Sequence, residues 1–239
     1  LILGIFSAGA LTVASAHFAG QVQVGAGYMA MGPGIIALIL AAGAMVVGLS
    51  VATVFALAGL SILSDTAAGN DRIENWPDAI GFFDGIGSAF FVFNAGFLSC
   101  VAGAGLAALF REIGWEGVIG YPVAIFVLFP LLLLSMLDNA SPLLPVSLNV
   151  FGSLWWRAGA WTLFYVQSFV IFALAGAAVW ATLRTERLLL VSFVAATALA
   201  TVGMIYFRLL GRVAWCCSDM AQEEDDDEGD EEVEEAKWA

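Results

Sequence analysis

Long runs of apolar residues free of charge leave this chain few ways to fold. Charge-free runs occupy residues 35–63, 86–110, 118–137, 159–183 and 188–207, and another runs from residue 1 to 18. Ionisable side chains are costly in hydrocarbon, so such runs of about 18 residues or more mark spanning segments. Away from water every backbone amide needs an internal partner, which leaves helices and closed barrels. A barrel strand is about ten residues of alternating apolar and polar positions. Residues 125–134 are apolar on every side and break that pattern. The expectation is an all-α, polytopic integral membrane helical bundle. Its spans are about 1–18, 35–63, 86–110, 118–137, 159–183 and 188–210, with five spans as the alternative.

The doubt concerns the first segment. A start at Leu1 rather than Met reads as a truncated or processed product, and Ala14-Ser15-Ala16 resembles a signal-peptidase site without a basic region before it. Residues 1–18 are read as a span, with a cleaved signal as the rival. Gly32-Pro33-Gly34 reads as a turn before the second span. Pro122 and Pro130 fall within the 118–137 segment, where each removes a backbone donor and favours a bend. The short link Arg184-Thr185-Glu186-Arg187 makes the last two spans an antiparallel hairpin. Ser147–Arg157 reads as a short amphipathic piece along the interface. Small residues at four-residue spacing, such as Ala44/Gly48, Ala52/Ala56, Gly103/Ala107, Ala173/Ala177/Ala181 and Ser192/Ala196/Ala200, are read as packing within the chain rather than a dimer seam.

Charge is segregated. The whole chain carries −13, yet Asp219 to Ala239 alone holds twelve acids and one base, a net of −11. Residues 1–212 are therefore read as the membrane domain and 213–239 as an acidic, self-repelling, disordered tail. Such a tail fits a basic protein partner and disfavours nucleic acid, whose phosphates need basic contacts. Arg208 and Arg212 beside the last span favour a cytoplasmic tail.

Polar chemistry in the body concentrates in the loop 64–84. It holds Asp65, Asp71, Glu74, Asp78 and Asp84 against the single base Arg72, with Asn70, Asn75 and Trp76 among them. Asp65, Asp71, Glu74 and Asp78 are the candidate ligands for a divalent cation through hard oxygens. The competing reading is a solvated connector, since no calcium-loop spacing is present. Asp138 and Asn139 end the fourth span, where Pro142 and Pro145 stop the helix. Asn94 and Gln167 lie inside spans and are expected to find interhelical partners.

Enzyme signatures are lacking. A lone histidine, His17, cannot build a multi-histidine zinc site, and no glycine loop shaped for phosphate is present. No cofactor is expected. Cys100 reads as a small packing residue, and Cys216-Cys217 as two unmodified thiols because adjacent cysteines bridge poorly.

Asp65-Thr66-Ala67-Ala68-Gly69-Asn70-Asp71-Arg72-Ile73-Glu74-Asn75-Trp76-Pro77, with Phe129-Pro130, Leu134-Ser135-Met136-Leu137 and Ser141-Pro142 further on, resembles an uncharacterised family of multi-span bacterial membrane proteins. The resemblance covers about residues 65 to 170. It implies a bacterial inner-membrane location and a polar loop that is a family feature, and it implies no activity. The leading expectation is a non-enzymatic membrane component or scaffold with a partner-facing loop and tail. The rivals are a small-solute transporter or channel component using Asn94 and Gln167, and a membrane enzyme joining Asp65, Glu74 and Asp138.

Overall fold

The computed structural model describes residues 31–73, 76, 82–112, 117–184 and 187–237, with side chains from Ser218 onward outside the description. Six helices follow one another: α1 (Met31–Ala67), α2 (Phe82–Glu112), α3 (Gly117–Asp138), α4 (Leu148–Trp156), α5 (Ala158–Leu183) and α6 (Leu188–Lys237). Five are long and apolar enough to cross a membrane, over Leu38–Ala67, Gly85–Phe110, Tyr121–Asp138, Ala158–Leu183 and Leu189–Cys217. The protein is an all-α membrane bundle. The expected span at residues 1–18, and its rival as a signal, lie outside the described residues.

Side-chain exposure agrees with a lipid solvent. Leu38, Met45, Phe169 and Leu189 are each at least 67% exposed, and apolar surface on that scale is not left open to water. Hydroxyls inside the spans turn back onto their own helix. Ser50, Thr53 and Ser99 donate to the carbonyls of Val46, Leu49 and Ala95, which satisfies them without water.

Several expectations about ends are corrected. Gly32-Pro33-Gly34 is no turn, because α1 already runs through it from Met31; proline is tolerated in a first turn, where its missing N–H has no intrahelical partner anyway. The loop thought to start at residue 64 starts after Ala67. There Gly69 adopts φ +78°, the Gly69 N–H reaches Thr66 O, and the Asn70 N–H reaches Asp65 O. This six-to-one and five-to-two pair is the usual glycine stop of a helix. Asp84, taken as the far end of the same loop, lies in the first turn of α2. At the other end of the bundle's sequence, α6 passes residue 213 without a break, and Val213 is buried in the membrane domain.

The chain divides into two compact units, one comprising residues up to Ala58 with Val170–Ile205, the other Gly59–Phe169 with Tyr206–Ala239. In the first, Gly203 admits the ring of Phe55 so closely that an added Cβ would lie 1.9 Å from it. Ala196 and Ala200 are buried in packing within the chain, whereas Ala173, Ala177 and Ala181 are exposed. Among the described residues the stripe on α5 is left uncovered.

In the second unit α1 and α6 run side by side in the same direction. Phe207 covers Gly59, Gly211 sits on Leu63 and Thr66, and Trp215 covers Gly69. Gly103 brings α2 against Tyr121 and Ile125 of α3. Aromatic rings knit α3, α5 and α6 together. Phe164 lies 5.3 Å from Tyr206 and 5.2 Å from Tyr165, Phe129 lies 6.2 Å from Tyr206, and Trp161 stacks on Tyr165. The helix α3 continues through both Pro122 and Pro130. Tyr165 donates to Val127 O at 2.9 Å, just before Pro130, the kind of help from a neighbouring helix that lets proline persist in a span.

Candidate functional site

Two helix ends and one docked loop segment build a part of the membrane domain where several polar side chains surround a space. The Gly69 stop turns the chain sharply at the end of α1, so Asn70 and Asp71 fold back toward α6 instead of leaving the bundle. Arg208 fastens them. Its guanidinium donates to Asp71 O at 3.1 Å and stands 4.0 Å from the Asp71 carboxylate. The charge pair is exposed and contributes little by itself; its backbone bond gives it direction. Trp215 closes the turn from the other side, with its indole nitrogen over Gly69.

Between these groups and the first turns of α5 lies a cavity of about 380 Å³. Asn70, Asp71, Gln167, Arg212 and Trp215 supply its polar wall, and Leu163, Phe164 and Leu209 are among its apolar residues. Volumes of several hundred Å³ are typical of sites for small ligands. Among the described residues Arg212 forms no ion pair, while Asp71 is engaged with Arg208. The cavity wall thus carries one cation, Arg212, and one carboxylate, Asp71, which also faces Arg208.

The expected site residues separate into groups. Asn70, Asp71 and Gln167 are brought together in this cavity. Arg72 and Trp76 are exposed, while Glu74, Asn75 and Asp78 lie outside the described residues. Asp65 sits in the last turn of α1, only 3% exposed, and is engaged in an interaction there. It belongs to the helix rather than to an open loop, so it does not share an exposed carboxylate cluster with Asp71. Among the described residues no three His, Cys, Asp or Glu side chains are grouped to hold a metal.

Asp138 and Asn139 organise a second junction. After α3, Ala140 takes φ +47°, Ala140 N–H reaches Leu137 O and Ser141 N–H reaches Met136 O. That is the same stop as at Gly69, made with alanine. Asn139 donates to Leu144 O and Val146 O at 3.1 and 3.0 Å, and Ser147 donates to the Asp138 carboxylate. Ser147 also caps α4, accepting from Val150 N–H. These bonds hold the 139–147 turn and start the short helix expected near residues 147–157. Asn94 donates to Pro142 O of that turn, a loop carbonyl rather than the interhelical partner expected. Asn94 and Gln167 therefore do not line one shared cavity.

Arg212, Trp215 and Ser147 were not singled out from the sequence as site residues. The cue for the first two was their four- and three-residue spacing after Arg208 and Arg212 on one helix, which places them on one face. No protein-family model matches the chain, and neither does any curated protein or solved structure. The site is read from its own geometry.

Proposed function

We propose that this protein is a non-enzymatic component of a bacterial cytoplasmic membrane, a scaffold whose polar loop and acidic tail meet a protein partner. One observation carries the reading: the loop's first residues are held on α6 by Arg208 and Trp215, not left as a free connector. Holding them there presents Arg72, Ile73 and Trp76 outward, with Ile73 and Trp76 43% and 52% exposed. An exposed arginine, isoleucine and tryptophan following the docked turn suit the anchor role that such residues play at interfaces. The tail continues α6 beyond the end of its span at Cys217, the end on which the loop is held, so loop and tail address one side of the membrane. Arg208 and Arg212 at that end support the cytoplasmic side, and the tail's acids suit a basic partner surface.

Crosslinking with mass spectrometry in native membranes tests this. Wild type should yield a reproducible partner that is lost when residues 219–239 are deleted or when Ile73 and Trp76 are both replaced by serine. A partner list unchanged by both variants would overturn the proposal. A second reading, a small-solute transporter component, draws support from Gln167 at the cavity wall. It requires solute flux in vesicles that Gln167→Leu reduces.

A further inference from the structure

We infer that the cavity between the end of α1, α5 and the last turns of α6 holds the anionic phosphate headgroup of a membrane lipid. The proposal does not depend on the scaffold reading, because the cavity exists whether or not the loop meets a partner.

Position comes first. Arg212 and Trp215 lie in the last turns of the span Leu189–Cys217, the level at which tryptophan and arginine meet headgroups. Access is sideways. Leu163 on the cavity wall is 58% exposed, and it continues a face of α5 that shows Val166, Phe169 and Val170 to the surroundings. In a bilayer that face touches lipid, so a lipid reaches the cavity without crossing water.

Charge and hydrogen bonding then select the headgroup. Asp71 is held by Arg208 through its backbone oxygen, and Arg212 is the one cation in the cavity wall. Arginine's planar fork matches two phosphate oxygens at once. The Gln167 amide also lines the cavity, and it is well inside α5, about 13 Å from the helix start at 1.5 Å per residue. An amide facing apolar surroundings is costly unless it finds a partner. Phosphate or glycerol oxygens supply one, and Asn70 stands ready to donate as well. Leu163, Phe164 and Leu209 line the same space with apolar surface suited to the first carbons of an acyl chain. Basic pockets between spanning helices are known to take anionic headgroups for these reasons.

The test is native mass spectrometry of the full chain from nanodiscs containing equal phosphatidylglycerol and phosphatidylcholine. Wild type should retain phosphatidylglycerol in preference to phosphatidylcholine. Arg212→Gln should cut that retention about tenfold, the loss expected for one charge-assisted hydrogen bond. Leu163→Trp, at an exposed position where folding is not at stake, should do the same by filling the cavity. Retention at wild-type level in both variants would overturn the inference. So would complete displacement of the lipid by inorganic phosphate, which would make the site one for a free anion.

Discussion

Replacing Gly211 by valine should loosen the contact that positions the cavity. A Cβ at Gly211 would lie 2.7 Å from Leu63 O, 2.7 Å from Thr66 Cβ and 3.3 Å from Leu63 Cα. Two of these are backbone atoms and the third is a branch point, so no side-chain rotation relieves the clash. Ordinary contact begins near 3.4 Å, so α1 and α6 must part by about 0.7 Å there. Forcing such an adjustment costs about 1–3 kcal/mol in a packed interior. Valine's better helix propensity returns only a few tenths of a kcal/mol, so a net loss of about 2 kcal/mol is expected. The control is Gly176→Val on α5, where an added Cβ meets nothing within 4 Å and the change should stay within about 0.5 kcal/mol. Unfolding in mixed micelles, titrated with a denaturing detergent, measures both. Equal stability of the two variants, or a larger loss at Gly176, would refute the packing argument.

Other variants probe single features. Ala140→Gly should stabilise the protein by about 1 kcal/mol in the same titration, because Ala140 holds φ +47° and only glycine takes that region without strain. Tyr165→Phe keeps the ring stack but removes the bond to Val127 O, and a loss of about 0.6 kcal/mol is expected, as for other interhelical bonds in membranes. Ser168→Ala should be neutral or stabilising by up to about 1 kcal/mol, because the buried Ser168 hydroxyl has no partner among the described residues and its removal ends a desolvation penalty.

The spans were legible because a lipid solvent demands them: charge-free runs at 86–110 and 159–183 became Gly85–Phe110 and Ala158–Leu183 almost unchanged. The ends were less so. Ala68-Gly69-Asn70 carries the glycine that stops α1, and reading it as a helix stop rather than loop would have placed Asp65 inside the helix. Asn94 was expected to find a partner on another helix and instead donates to Pro142 O in the turn after α3. The cavity itself was not readable. Asn70, Gln167 and Arg212 were visible as polar residues, but their meeting depends on Gly59 and Gly211 letting α1 and α6 approach closely. Those glycines do not follow the four-residue spacing sought in a single helix. They act across the contact, Gly59 admitting the Phe207 ring and Gly211 admitting the α1 backbone at Leu63.

The central claim is that the start of the polar loop is docked on the last turns of α6. Asn70 and Cys216 line the same cavity, which allows a direct measurement. In a Cys100→Ser, Cys217→Ser background, Asn70→Cys should crosslink to the native Cys216 within one chain when treated with a short bismaleimide in membranes. A docked loop gives a fast, internally bridged species that Arg208→Ala slows. Two separately capped thiols, with no bridged species at any reagent concentration, would contradict it.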